Sequence, residues 1–341
     1  MKSNYRYIVK AFMAMAVIAG TTSCDDFLDR EPMSSISPET YYSTAAQLEA
    51  NLNDEYPNVL PSFGQWTYGI FGEDKGTDNQ IEVNANDRYT QDRWKVPHSE
   101  SDNWKFERIY RINFFLSEAL PKFGEDMSGS QNTISGSVAT IKHYIGEMYF
   151  LRAYEYFKKL QLFGDFPIID QPLADDMEAL REASKRFPRN EVARFIISDL
   201  DKAYAYMSDV DMATTRINKD AAMLIKSRVA LFEATWLQNF KGTAFVPGGE
   251  GWPGASLYSN YQYPGGSIDN EVKYFLEQAV EASKIVADKY KGSLTENTGV
   301  LQQSADAPSN PYFDMFAQED LSDVKEVLLW RQYARGLSTH N

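Results

Sequence analysis

The chain has 341 residues, of which 43% are hydrophobic and 14% are aromatic, and its formal net charge at pH 7 is -14. This length and apolar content can supply the core of one large domain or of two ordinary ones. The acidic balance argues against nucleic acid as a partner and against electrostatic binding to anionic lipid.

The N-terminal segment has the layout of a secretory signal. Three cationic residues flank the start of an apolar stretch, residues 11–20, that is too short to span a bilayer comfortably. Small residues then lead to Cys24, the single cysteine of the sequence, in a pattern similar to a bacterial lipobox. We therefore predict a signal peptide over residues 1–23 and a lipid on the Cys24 thiol. Removal of three positive charges from the total of -14 leaves about -17 on the mature chain.

Two other interpretations of Cys24 stay open, namely a buried small hydrophobe and a free reactive thiol. Its position between the signal core and an acidic segment favours lipidation. With one cysteine, an exported chain forms no internal disulfide, so its fold depends on its core. Residues 24–44 are polar, contain two prolines and are predicted to form an extended tether.

From residue 45 onward, apolar residues recur at the spacing of amphipathic helices. Residues 57–97 interrupt this pattern and are predicted to be mostly loop, because they are rich in Gly, Asn and Asp. The predicted helices run from Ala45 to Tyr56, from the N-cap Ser101 to Leu120 before Pro121, from Ile134 to Gly164, from Asn190 to Met207, from the N-cap Asn218 onward, and from Asn270 to Gly292.

Several amphipathic helices in antiparallel pairs, with no clear alternating strand pattern, predict a mainly α fold of helical hairpins packed side by side. The strict period of a tetratricopeptide array is absent from the sequence, so this prediction rests on helix spacing. Residues 239–267 form a long loop between the last two helices. Loops of this length are usually functional or disordered, and the many aromatic rings of this one favour a function.

Five stretches of the sequence, taken together and in order, resemble one known family. They are CDDFLDREP, YRINFFLSEAL, GEMYFLRAYEYFKKLQLFGDFPII, FPRNEVARFIISDLDKAY and INKDAAMLIKSRVALFEATW. In this combination they resemble the SusD/RagB family of outer-membrane nutrient-binding lipoproteins of Bacteroidetes. The resemblance implies a SusD-like, mainly α domain over residues 45–341, with tetratricopeptide-like helix pairs on one flank and irregular loops on the binding face.

The resemblance also implies a function. Family members are lipid-anchored on the cell surface, lack catalysis and cofactors, and pass oligosaccharide, or in some members peptide, to a SusC-like TonB-dependent transporter. Asp25 and Asp26 resemble the surface-export signal of these bacteria. A helical scaffold that binds only other proteins is the alternative. Because family members commonly run longer, we expect the domain to be C-terminally incomplete.

Sugars present C–H patches that lie on aromatic rings, and hydroxyl rims that pair with carboxylates, amides and guanidinium groups. Two segments offer both kinds of residue, and we predict exposed rings in each. The first candidate site comprises Trp66, Asp78, Asn79, Arg88 and Trp94. The second, within the 239–267 loop, comprises Trp252, Tyr258, Tyr261 and Tyr263. For each ring the alternative is packing against the scaffold.

Other kinds of site have weaker support. With 48 acidic residues, carboxylate pairs arise by chance, so the sequence gives no basis for a glycoside hydrolase. The three histidines are scattered without a second ligand at helical spacing, and no metal site is predicted. Gly249, Gly251 and Gly254 spell GxGxxG, but no strand precedes them and Pro253 stands where a phosphate-binding helix would begin. We therefore predict no dinucleotide site.

Overall fold

The computed structural model is mainly helical, as the apolar spacing predicts. It describes residues 41–61, 80, 103–124, 126–208, 212–301, 306 and 308–333. Within these ranges the α-helices are α1 (Ala45–Val59), α2 (Glu107–Phe123), α3 (Val138–Phe163), α4 (Met177–Ala183), α5 (Arg189–Tyr206), α6 (Lys219–Asn239), α7 (Ile268–Tyr290) and α8 (Pro311–Met315). Two isolated β-bridges join pairs of described residues, Thr44 with Ser135 and Phe166 with Phe187.

Two predicted helix ends are confirmed by their capping geometry. The side chain of Asn218 accepts a hydrogen bond from the backbone N–H of Ala221 at 3.0 Å, which satisfies an orphan donor at the start of α6. Gly164 follows α3 with a φ of 68°, a conformation that costs glycine little and other residues more.

Other boundaries differ from the prediction. Ser101 lies outside the described residues, and α2 begins at Glu107 and continues through Pro121 to Phe123. Pro121 is tolerated in the last turn because the missing N–H removes a single hydrogen bond there. Ile134 precedes α3 rather than joining it, since Ser137 caps the helix, yet its side chain is buried.

The central helix of the fold is α3. Against it pack α1, α2 and α5, then α6 packs on α5 and α7 on α6. Seventeen of its 26 residues are buried, so α3 is enclosed on all sides rather than along the single apolar stripe that its spacing predicts. Helices that follow one another in the chain thus pack side by side, in agreement with the predicted hairpin arrangement.

Buried ion pairs connect successive helices. Arg152 of α3 donates to Asp199 of α5, with Nε to Oδ2 at 2.6 Å and Nη2 to Oδ1 at 2.8 Å. Arg194 of α5 donates to Glu271 of α7 through Nε at 2.7 Å and Nη2 at 2.9 Å. Since an unpaired buried charge is costly, such pairs fix which helix faces meet.

Candidate functional site

A cleft of about 590 Å³ opens beside the C-terminal end of α3. The segment that precedes α5 forms one wall, and the last turn of α6 with the loop that follows it forms the other. Its volume falls within the range of about 300–1,000 Å³ that is typical of small-ligand sites. We call this space the aromatic cleft, with a floor formed by Asp165, Arg189 and Trp252 and a rim formed by Arg186, Phe245 and Leu257.

The floor is held together by Asp165, which follows Gly164 at the end of α3. Its Oδ2 accepts a hydrogen bond from the Trp252 indole Nε1–H at 2.7 Å, and its Oδ1 accepts one from the backbone N–H of Arg189 at 2.9 Å. Burial raises the pKa of the Asp165 carboxyl above its usual value, although both donors favour the ionised form. This carboxylate therefore ties the loop to the helix end and has both oxygens engaged.

A second buried contact fixes the wall made by α6. Arg189 donates through Nε to both carboxylate oxygens of Glu233, at 3.0 and 3.2 Å, and through Nη2 to Oε2 at 2.9 Å. Burial raises the pKa of Glu233, while the adjacent Arg189 opposes the rise. The guanidinium also lies 4.1 Å from the centre of the Trp236 ring, so the same cation positions an aromatic wall of the cleft.

Two of the predicted tyrosines, Tyr261 and Tyr263, are tied to the fold through their hydroxyl groups. The Tyr261 hydroxyl lies 2.9 Å from Glu191 Oε1 and 3.1 Å from Asn190 Oδ1, and Tyr263 donates to the Pro247 carbonyl at 2.6 Å. Burial raises the pKa of both phenols, so they remain neutral donors at physiological pH. Both rings are half-buried, as is that of Tyr258.

The prediction of an exposed Trp252 ring is wrong. Its side chain is 4% exposed, because the indole satisfies Asp165 and packs under the loop. A Cβ on Gly254 would lie 2.2 Å from Trp252 Cζ2, so glycine at this position permits the indole to pack closely against the backbone. Part of the GxGxxG pattern is thus explained by loop packing.

The first candidate site lies outside the described residues. This applies to all five of its members, Trp66, Asp78, Asn79, Arg88 and Trp94, and also to the predicted lipidation site, Cys24. These residues therefore remain predictions from the sequence.

The rim carries the apolar side chains of the cleft that are exposed to solvent, including one aromatic ring. Phe245 is 62% exposed, and Leu257 beside it is also exposed. Phe245 is held by an edge contact to Phe240, with centroids 5.4 Å apart, and its carbonyl accepts the Trp236 Nε1–H at 3.1 Å. An exposed phenyl on a fixed backbone is a surface on which a flat apolar face can stack.

Comparison with known proteins identifies the family. A sequence model of a SusD-like family, described as "Starch-binding associating with outer membrane", matches residues 26–231, more than half of the chain. The chain belongs to the SusD-like family. The prediction made from the five sequence stretches is thereby confirmed.

Individual SusD-like relatives are distant and longer. The chain is 25% identical over 253 residues to SusD-like protein P2 of Formosa agariphila, covering 71% of this chain and 46% of that protein. It is 25% identical over 233 residues to SusD-like protein P25 of the same organism, covering 63% and 41%. A solved SusD-like carbohydrate binding protein of Bacteroides fragilis is 16% identical, with a TM-score of 0.43 over 76% of this chain and 42% of that one. The chain thus spans less than half the length of these curated relatives.

Sequence reasoning about this SusD-like chain missed three residues of the cleft, namely Arg186, Trp236 and Phe245. Phe245 lies inside the predicted loop, but its ring was not distinguished from those that pack. The available signal was the run of rings from Trp236 through Phe240 to Phe245, which contact one another with centroids 4.5 and 5.4 Å apart. No local sequence pattern indicated Arg186 as a site residue, because the ring that it contacts, that of Trp104, is distant in sequence.

A larger groove of about 870 Å³ lies on another part of the fold, between α1, α3, α6 and residues 326–332. Its lining is mainly aliphatic and aromatic. The Tyr56 hydroxyl there is already engaged, since it donates to Glu147 Oε2 at 2.5 Å and accepts from the backbone N–H of Ile217 at 2.9 Å. This lining suits apolar side chains better than the hydroxyl rim of a sugar.

No group of three or more His, Cys, Asp or Glu residues among those that the structure describes is placed to hold a metal ion. In the same part of the chain, no helix combines the length and the apolar character needed to cross a membrane.

Proposed function

We propose that this SusD-like protein binds oligosaccharide at the cell surface through the aromatic cleft and delivers it to a SusC-like TonB-dependent transporter. The observation that carries the proposal is the exposed Phe245 ring on a fixed backbone, in the same cleft as the guanidinium of Arg186. The family description, which names starch binding and association with the outer membrane, supports the class of ligand and the location.

The rim suits reversible binding. Phe245 offers a face for sugar C–H groups, and Arg186 offers N–H donors for hydroxyls. A shallow site with few anchors gives modest affinity after the costs of association, on the order of micromolar. Such affinity suits a protein that must release its ligand to a channel.

We propose no catalytic activity for the cleft. Glycoside hydrolysis uses two carboxyl groups that flank the scissile bond. Asp165 is the one carboxylate among the described lining residues of the cleft, and both its oxygens accept hydrogen bonds from protein N–H groups. Incubation with glycans is expected to produce no new reducing ends, and their appearance would contradict this part of the proposal.

The membrane attachment that we propose is the lipid on Cys24, after removal of residues 1–23, with residues 24–44 as the tether. Cys24→Ser is expected to move the protein out of the membrane fraction and to abolish labelling by a radioactive fatty acid. Unchanged fractionation and labelling of this variant would overturn lipid attachment at this residue.

The direct test of the binding site compares two exposed phenyl groups. Phe245→Ala is expected to weaken binding to soluble starch or laminarin by about five-fold, since a ring contact contributes about 1 kcal/mol. Phe316→Ala is the matched control, because Phe316 is 72% exposed and lies outside the cleft. Binding measured by calorimetry or affinity electrophoresis should be unchanged in the control. Equal binding by both variants and the parent protein would remove the cleft from the proposal.

A second candidate function, binding of a polypeptide, is favoured by the segment that borders the larger groove. Within residues 326–332, the Leu328 carbonyl accepts from Asn218 Nδ2 at 2.6 Å and the Trp330 N–H donates to the Thr214 carbonyl at 3.1 Å. The backbone groups of Leu329 and Arg331, which alternate with these, make no hydrogen bond to the described residues. Backbone groups left free in this alternation can be joined by an extended polypeptide, although Leu329 itself lies in a bend.

Leu329→Pro tests this second candidate because it removes one N–H of the free edge, while Leu329→Ala is the control that keeps it. Co-purification with a SusC-like transporter should fall for the proline variant alone if the edge binds that partner. Equal recovery of the transporter with both variants would exclude the edge from the interface.

A further inference from the structure

We infer that the aromatic cleft selects acidic saccharides, those with a carboxylate on the sugar, over neutral ones of the same length. This inference rests on the proposed function and deepens it. The observation is an imbalance of charge at the cleft, where three cationic side chains and one carboxylate are present among the described lining residues.

Two of the three cations and the carboxylate are already committed to internal partners. Arg189 is neutralised by Glu233, which is fully buried behind it. Lys185 forms an exposed ion pair with Glu182, three residues earlier in the chain, so its charge is balanced locally. Asp165 accepts hydrogen bonds on both oxygens. None of these groups is therefore left to pair with a ligand charge without breaking an existing contact.

The remaining cation, Arg186, is placed at the rim. Its guanidinium lies 4.6 Å from the centre of the Trp104 ring, and its side chain is exposed. Trp104 is itself held by edge contacts to Phe163 and Phe166, each with centroids 4.9 Å apart. In the part of the chain that the structure describes, Arg186 forms no salt bridge, although its charge also opposes the rise in the pKa of Asp165. The ring thus holds the guanidinium in place while its N–H groups face solvent.

A guanidinium in this state matches a carboxylate. Its planar fork can donate two parallel hydrogen bonds to the two oxygens, and a charge-assisted bond is about twice as strong as a neutral one. Stacking on Trp104 leaves the edge of the guanidinium free and reduces the entropy lost when the ligand binds. A neutral hydroxyl carries no charge and offers a single oxygen to the fork, so the acidic sugar gains more from Arg186.

The negative charge of the whole protein makes Arg186 important for attracting an acidic ligand. A chain with a net charge of -14 repels an acidic glycan over most of its surface. A cation without a salt bridge of its own, in the same cleft as an exposed ring, is a local exception. We therefore place the acidic group of the ligand next to Arg186 and an adjoining sugar ring on Phe245.

The experiment measures binding of oligogalacturonate and maltooligosaccharide of equal length, in low salt, to the full chain and to two variants. Arg186→Gln removes the charge at the rim. Arg181→Gln is the matched control, since Arg181 is 76% exposed on α4, outside the cleft, and changes net charge equally. A sulfated oligosaccharide, added as a further arm, distinguishes a requirement for carboxylate from one for any anion.

We expect the parent protein to bind the galacturonate at least ten-fold more tightly than the neutral oligomer, and added salt to reduce this difference. Arg186→Gln should lose at least five-fold of the galacturonate affinity and little of the neutral affinity, whereas Arg181→Gln should lose neither. Arg186→Lys keeps the charge without the fork and should fall between the parent and the glutamine variant.

Two outcomes would overturn the inference, and they differ in what they say of the proposed function. Neutral binding that depends on Phe245, with no acidic preference and no effect of Arg186→Gln, removes the selectivity alone. Absence of any saccharide binding that depends on Phe245 removes the proposed site and the inference together.

Discussion

The floor and the rim of the aromatic cleft each contain one aromatic ring from the loop between α6 and α7, and these two rings have opposite physical characters. Trp252 is buried and donates its indole N–H to Asp165, whereas Phe245, seven residues earlier, is mostly exposed and has no polar atom in its ring. The loop is rich in rings throughout, so composition alone does not separate the ones that hold the loop from the ones that can touch a ligand. What separates the two rings is that Trp252 donates a hydrogen bond to a partner inside the fold and Phe245 does not.

The largest loss of stability is expected when the buried ion pair between Arg189 of the floor and Glu233 is broken. Arg189→Leu leaves Glu233 without its partner and is expected to lower the free energy of unfolding by about 3–5 kcal/mol. Urea denaturation followed by circular dichroism measures this loss.

The paired replacement Arg189→Leu with Glu233→Leu removes both charges and should recover much of the loss. Equal destabilisation by the single and the double variant would show that packing, rather than the unpaired charge, determines the cost.

The floor itself is tested by Trp252→Phe, which keeps an aromatic ring but removes the indole N–H. One oxygen of the buried Asp165 carboxylate then lacks its donor, which is expected to cost about 1–3 kcal/mol of unfolding free energy. Since the indole lies under the loop, any effect on glycan binding should accompany this loss of stability. Weakened binding with unchanged stability would mean that the ring contacts the ligand directly.

The pH dependence of stability gives a second test of the contact between Trp252 and Asp165. Burial raises the pKa of Asp165 in the folded protein above its value in the unfolded chain, so this carboxyl contributes most stability below its unfolded pKa. That contribution is lost as the pH rises through the folded pKa.

The loss of stability caused by Asp165→Asn should therefore shrink as the pH rises from 4 to 7. Unfolding free energies of both proteins across this range give the comparison. A loss that grows with pH would mean that the two N–H donors outweigh burial and lower the pKa instead.

The smallest effect on stability is expected at the rim. Phe245→Ala removes a mostly exposed phenyl and should change the free energy of unfolding by no more than about 0.5 kcal/mol. Thermal unfolding of this variant and of Trp252→Phe compares the stability effects of the exposed ring and the buried ring by the same measurement. A loss at Phe245 as large as that at Trp252 would end the distinction between rim and floor.

Much of the scaffold was predictable because it depends on local rules. The Asn218 cap, the Gly164 terminus and the apolar spacing of α5, α6 and α7 each follow from residues close in sequence. The start of α2 was misplaced and Pro121 was taken as a stop. Residues that pack from elsewhere in the chain can override such local signals.

The sequence by itself determined the family, the mainly α character and the loop in which to look for a site, because each depends on residue order and periodicity. Only the tertiary structure decided which rings of that loop are covered. The partners of Trp252 and Arg186 are Asp165 and Trp104, each more than 80 residues away along the chain. Contacts over such separations arise from the packing of helices, and no local pattern specifies them.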